Sequence, residues 1–218
     1  MTTNTPASRS RGRPAVPLER IVAAALELVD EQGADALSMR SLAQRLGSGT
    51  ATLYRHFAGR AELVAMVVDR MLGEADVRAV AGLPWPQACI AFGQHMFDAL
   101  SRHGSVASLL IGHVPMGPNA LSQRELILSV LLDNGFAPQV AAHTYAMLSR
   151  YVLGFAIQVT QSAGDDPRDA ELSARFRQLD ASRYPATVAV AGSLPVPLRE
   201  EFAFGLRLVV AGLEGLHA

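Results

Sequence analysis

Lysine is absent from this chain of 218 residues, so arginine supplies all of its permanent side-chain positive charge. A single cysteine, Cys89, excludes an internal disulfide framework, fits a reducing cytoplasm and reads as a small buried hydrophobe. No apolar run reaches the roughly 18 residues of a membrane span, so no membrane partner is expected. Met1 to Ser10 is polar and lacks the apolar stretch of a secretory signal, and the expected location is cytoplasmic. Strand-like alternation is missing too: Thr187 to Val190 is short and bounded by Pro185 and Gly192. There is no repeat and no heptad array. A His-Glu-x-x-His zinc spacing, a Gly-x-Ser-x-Gly elbow and a phosphate loop are all lacking, which excludes the enzymes built on them. The chain reads as a non-enzyme with no cofactor and no bound metal.

What is present is apolar content of 50%, enough for a sizeable core, and 18% charged residues. The net charge of −1 hides a division. Residues 1–60 hold eight arginines against five acids, and residues 61–218 hold eleven against fifteen. A basic head on an acidic body implies that only the head meets a polyanion. Residues 1–17 are rich in Arg, Ser, Thr and Pro and are predicted to form a flexible arm. Arg9, Arg11 and Arg13 are either solvated there or laid on phosphates or in a minor groove.

The rest reads as all-α. Leu18, Ile21, Val22, Ala25, Leu28 and Val29 form the stripe of a first amphipathic helix, which Gly33 ends. Ser38 is a good N-cap for a second helix with Met39, Leu42, Ala43 and Leu46 inward and Gly47 closing it. A third helix runs from about Gly49 to Arg55, with Leu53 and Phe57 inward. A fourth is predicted from near Gly59 to about Val80 on a stripe of Leu63, Met66, Val67, Arg70 and Met71. Leu83-Pro84-Trp85-Pro86 and Pro115-Met116-Gly117-Pro118 are breakers. Further helices are predicted over roughly 86–102, 104–112, 118–134, 138–163, 168–180 and 198–216, with a weaker stretch at 184–193. The domains are then an arm 1–17, a helix-turn-helix unit 18–65 and a helical body 66–218.

Residues 38 to 57 carry the functional pattern. Two short helices joined by a tight glycine turn place the second in a DNA major groove. Its first turn is Ser48, Gly49, Thr50, Ala51 and Thr52. Ser and Thr can bond several bases, and Ala or Thr methyls can meet the thymine methyl. Arg40 is the candidate for a bidentate guanine contact, of a kind worth about 1–3 kcal/mol. Tyr54, His56, Arg60 and the N-cap Ser38 suit phosphates, and Arg55 fits a base or a phosphate.

Leu42-Ala43-Gln44-Arg45-Leu46-Gly47, then Thr52-Leu53-Tyr54-Arg55-His56-Phe57, then Arg60 and Leu63, resemble the DNA-binding domain of the tetracycline-repressor (TetR) family over about residues 15–65. Gly117-Pro118-Asn119-Ala120-Leu121, Tyr151-Val152-Leu153-Gly154-Phe155 and Phe202 to Leu206 with Gly212-Leu213-Glu214 more weakly resemble the ligand-binding domain of its tetracycline-repressor subclass. The resemblance implies a transcriptional regulator, most often a repressor, built as an Ω-shaped homodimer. Two heads would sit on one palindromic operator in double-stranded DNA, and a ligand in the body would release them. The fourth helix joins head to body and is the natural lever. The helix over 138–163 and the last helix would pair with their copies in a four-helix bundle. Both look apolar on more than one side, with Gly154, Gly205 and Gly212 permitting close approach.

A cavity is expected among the fifth to eighth helices. Its candidate lining is Phe92, His95, Met96, Leu110, His113, Met147, Arg150 and Tyr151, with Trp85 near the entrance. The founder of the resembled family takes a magnesium-chelated drug through histidine and hydroxyl groups. Matching puts Leu110 and His113 at those positions, Phe92 at that of a drug-binding asparagine, and Arg150 at another polar contact. Neither bound magnesium nor tetracycline specificity is therefore expected. The expected effector is a small, mostly apolar organic molecule with an acidic or carbonyl group for Arg150 or a histidine. Alternatives at this stage are an activator or a ligand-independent regulator of the same fold and, further off, a helical enzyme or a protein-docking module.

Overall fold

The computed structural model describes residues 16–111, 114–161 and 167–216; Arg9, Arg11, Arg13 and His113 lie outside them. The regular structure of the described residues is entirely helical. Helix α1 (Leu18–Gln32) buries Ile21, Val22, Ala25, Leu28 and Val29, the expected stripe, and Gly33 ends it at φ 86°. Helix α2 (Met39–Arg45) is capped reciprocally. The Ser41 N–H donates to Ser38 Oγ at 3.1 Å, and the Ser38 N–H donates to Ser41 Oγ at 3.0 Å. At its other end Gly47 takes the left-handed conformation, φ 59°. The N–H groups of Gly47 and Ser48 then close on the carbonyls of Gln44 and Ala43 at 3.0 and 2.9 Å. Arg45 ties α2 to α1 through Glu27 at 3.2 Å and Glu31 at 2.6 Å. The hydrogen bond from Arg45 holds the Glu31 carboxyl below its ordinary pKa.

Helix α3 (Thr50–Leu53) is shorter than predicted. The His56 and Phe57 N–H groups both fall on the Leu53 carbonyl, at 2.9 and 3.0 Å, so the chain turns before Arg55. Leu37, Leu42, Leu53, Phe57 and Leu63 are fully covered and join these helices to α1 in one core. Helix α4 (Arg60–Leu72) also stops early, at Leu72 rather than near Val80. A Cβ at Gly73 would lie 2.8 Å from the Asn119 amide, so the chain is pinned there. A separate 3-10 turn, Val77–Val80, follows, begun by Asp76 accepting from the Arg78 N–H at 3.3 Å. The buried face of α4 is rotated from the expected stripe: Arg70 is exposed and Asp69 is buried.

Helix α5 (Trp85–Arg102) is central, packed by α7 (Pro118–Asp133), α8 (Pro138–Gln161) and α11 (Leu198–Glu214). Between α5 and α7 run α6 (Gly104–Ala107) and the 3-10 turn Ser108–Leu110. Helices α9 (Pro167–Arg177) and α10 (Pro185–Val190) pack together with the 3-10 turn Ala191–Ser193. Phe97 of α5 stacks on Phe202 of α11 with centroids 4.0 Å apart, and Tyr151 and Phe155 of α8 close on Phe202 at 5.4 and 5.7 Å. Gly205 makes this possible, because a Cβ there would meet the Tyr151 hydroxyl. That glycine serves packing within the chain, whereas the space beside Gly154 and Gly212 is open.

The two helices expected to be apolar all round differ. Helix α8 buries one face, with Ala141, Leu148, Val152 and Ala156 inward and His143, Met147, Arg150, Gly154 and Gln158 exposed. Helix α11 buries Phe202, Leu206, Val210 and Leu213 but leaves Phe204 and Leu208 57% and 58% exposed. Among the described residues no helix is long and apolar enough to cross a membrane. Replacing Phe202 by alanine removes the ring that three helices share and should cost about 3–5 kcal/mol. Urea unfolding at fixed protomer concentration measures it.

Candidate nucleic-acid interface and ligand cavity

Arg40, Gly49, Thr50, Ala51, Tyr54 and Arg55 are all exposed around α2 and α3, with Tyr54 58% open. Thr52 and His56 are half-buried at the edge of that surface. Three other candidates are otherwise occupied. The Ser38 hydroxyl belongs to the cap of α2. The Ser48 hydroxyl is covered and has no hydrogen-bond partner among the described residues, so it does not face a groove. Arg60 donates from Nε to the Leu37 carbonyl at 2.8 Å and from Nη2 to the Ala34 carbonyl at 3.4 Å, bracing the approach to α2. The surface therefore offers short hydroxyls, two positions with little side chain, and arginine at its rims. That suits a groove whose walls are phosphate and whose floor is base edges.

A cavity of ≈ 680 Å³ lies in the body. Its walls come from Leu72 at the end of α4, from Phe92, Met96 and Leu100 of α5, and from Leu110, Ile111, Val114 and Pro115. Ala120 and Gln123 of α7 and one side of α8 from Tyr145 to Ile157 complete them. Of the expected lining, Phe92, Met96, Leu110 and Arg150 are there. Trp85 is not at an entrance; it is buried edge-on against Phe136 at 4.9 Å. His95 and Met147 do not line the cavity either, and Met147 is on the exposed face of α8. Tyr151 points to α11, its hydroxyl donating to the Phe202 carbonyl at 2.9 Å. On a helix a one-residue step turns a side chain by about 100°, which separates His95 from Met96. Among the described residues no three His, Cys, Asp or Glu side chains are grouped to hold a metal ion.

Among the described residues four polar side chains interrupt the apolar wall: Gln123, Tyr145, Ser149 and Arg150. Arg124 stands behind them. It donates from Nε to Tyr145 Oη at 3.2 Å and from Nη2 to the Pro115 carbonyl at 2.9 Å, fixing the phenol and the segment after α6. Sequence reasoning found Arg150 and missed the other three.

It also missed the junction beside the cavity. Helix α7 has glycine at its N-cap, Gly117, and no capping side chain of its own. Pro118 has no N–H to satisfy. The next two N–H groups, of Asn119 and Ala120, donate to the Asp69 carboxylate of α4 at 3.3 and 3.0 Å. The Asn119 side-chain amide donates back to the Asp69 carbonyl and carboxylate, both at 3.0 Å. Gln123 donates to the carbonyl of Leu72. A Cβ at Gly117 would collide with the Asp69 carboxylate, so that position must be glycine. An acid from one helix thus caps another and meets the positive end of its dipole. The legible signals were an acid inside the apolar run of α4 and a Gly-Pro helix start without a cap.

Two family descriptions match the chain. "Bacterial regulatory proteins, tetR family" covers residues 21–67, and "Tetracyclin repressor-like, C-terminal domain" covers residues 82–216. The HTH-type transcriptional repressor DrrR1 of Streptomyces coeruleorubidus is 29% identical, over 96% of this chain and 82% of that protein. The tetracycline repressor protein class G of Vibrio anguillarum is 27% identical, over 91% of this chain and 93% of its own. The TetR family protein ActR of Streptomyces coelicolor, solved in complex with actinorhodin, aligns with a TM-score of 0.85 at 30% identity, over 93% and 97% of the two chains.

Removing the shared acid should be felt. Asp69→Ala leaves two amide donors at the start of α7 without their acceptor, at a cost of about 1–3 kcal/mol. Asp69→Asn, which keeps one acceptor oxygen, should cost less, and thermal unfolding of both variants beside wild type ranks them.

Proposed function

The chain belongs to the tetracycline-repressor (TetR) family of bacterial regulatory proteins, and from that premise we propose how its parts divide the work. It is a ligand-responsive DNA-binding repressor, not an enzyme, and it acts as a homodimer on operator DNA. Residues 18–65 are the DNA-reading head and 66–218 the ligand-binding and dimerisation domain. Arg40, Thr50 and Thr52 read bases, while Gly49 and Ala51 let the helix come close to the groove floor. Tyr54, Arg55 and His56 hold phosphates, while Arg60 acts by bracing the approach to α2. Ser38 and Ser48 act through the shape they give the two helices. The outward residues Met147 and Gly154 of α8, with Phe204, Leu208 and Gly212 of α11, meet their copies in an Ω-shaped dimer. An operator as partner supports a cytoplasmic location.

The effector is a mostly apolar organic molecule of several rings with a few carbonyl, phenolic or carboxylate oxygens. The size of the cavity fits a drug-sized ligand. Gln123, Tyr145, Ser149 and Arg150 match such oxygens, and ActR has been solved in complex with a ligand, actinorhodin. The observation that carries the reading is that Leu72 and Gln123 wall the cavity while bonding α4 to α7. A ligand that binds one placement of α4 better than another changes the placement of the heads, and only to that extent.

The test uses the DNA sequence that the wild-type protein selects from a random library. Anisotropy at fixed salt should show specific binding that weakens steeply as salt rises. Arg40→Ala should weaken it about tenfold, within the range of a lost bidentate base contact. Actinorhodin, as probe, should release the DNA, and Arg150→Ala should blunt release while leaving ligand-free affinity unchanged. Failure to select any sequence would contradict the DNA reading. Release that Arg150→Ala leaves intact would contradict this choice of cavity groups.

A further inference from the structure

His103 lies between α5 and α6, and both of its ring nitrogens are engaged. Nδ1 is 2.7 Å from Asp30 Oδ2 of α1, and Nε2 is 2.8 Å from Glu74 Oε2 in the turn after α4. A neutral imidazole has one N–H and can donate only once, whereas an ionised carboxylate only accepts. Two such contacts at these distances require the imidazolium. Its side chain is 15% exposed, so these charge-assisted bonds are shielded from much of the water that weakens surface pairs.

Burial opposes the charge on the ring, but the hydrogen bonds and charges of Glu74 and Asp30 outweigh it and raise the pKa above the ordinary 6.5. Asp30 faces the ring from α1 and Glu74 from the turn after α4. Arg70 of α4 and Arg102 of α5 are exposed, and α8, which packs on α6, brings no ion pair to the ring among the described residues. The ring therefore bonds the first helix of the head to the body. It does so from the segment whose Leu100 and Leu110 wall the cavity.

We propose that His103 is a positioning residue for operator binding, a charged strut that fixes the DNA-reading head on the ligand-binding body and lets it loosen when the ring loses its proton. This rests on residues 18–65 being that head. Because the folded pKa is raised, the contribution of the strut is complete below about 6.5 and is lost as pH rises through the raised value. A pH rise and an occupied cavity then act on one segment.

Two measurements on the full-length protein test it. Ring titration by NMR should give His103 a pKa above 6.5, and Asp30→Asn or Glu74→Gln should lower it. A spin label on Gln44→Cys, exposed on α2, reports the distance between the two heads. Cys89 does not compete for the label, because it is buried and desolvation pushes its thiol up to about 11. The distance distribution should be narrow at pH 6 and broaden above the ring's pKa, and His103→Gln should be broad throughout. An ordinary His103 pKa overturns the strut. A raised pKa with pH-independent head distances, or a pH effect that survives His103→Gln, overturns its positioning role. Loss of all specific DNA binding in the wild type, with both results intact, counts against the head as a DNA reader and not against the strut.

Discussion

The Asp69 carboxylate holds together the two halves of this molecule. A helix that begins Gly117-Pro118 cannot cap itself, and its first free amides must find an acceptor or remain unsatisfied in a buried junction. The acceptor comes from α4, which also supplies Leu63 and Val67 to the core of the head. Hydrogen bonds tolerate only a few tenths of an ångström, so the last turns of α4 are held in register with the first turn of α7. Leu72 and Gln123, bonded to each other across the same junction, face the cavity. A molecule entering there meets the joint itself and needs no long path to be felt in the head.

The rest of the body keeps that joint in place. Phe97, Tyr151, Phe155 and Phe202 lock α5, α8 and α11 into one block, so the cavity has a stiff far wall. Arg124 anchors the near wall through Tyr145 and Pro115. With the block fixed, Phe204 and Leu208 of α11 are presented on a steady exposed surface, the one proposed above to meet a second copy. A steady dimer matters because the exposed surface proposed to read DNA carries almost no side chain at Gly49 and Ala51. On that reading, specificity comes from two heads held at the spacing of two half-sites. The joint at Asp69 and the strut at His103 act on that spacing.

The parts legible in the sequence are those where burial leaves a local rhythm. The stripe of α1, the cap at Ser38 and the glycine turn at Gly47 all follow from neighbours within a turn or two. The ends of α3 and α4 were not legible, because they depend on remote partners. Gly73 stops α4 where Asn119 sits against it. The expected stripe has Arg70 inward where the structure buries Asp69, one residue away, and that single step hides the capping acid. The same step separates Met96, in the cavity, from His95, outside it. His103 meets Asp30 across 73 residues and Glu74 across 29, a distance at which no spacing rule operates.

The central claim is that the reading surface and the cavity wall move as one linked system through α4. Hydrogen exchange of the full-length dimer, with and without its selected operator, tests this with no effector needed, because coupling between sites is reciprocal. DNA held at α3 should alter the exchange of the Asn119 and Ala120 amides and of the end of α4 around Leu72 and Gly73. Changes confined to the head, with the first turn of α7 exchanging as in the free protein, would contradict it.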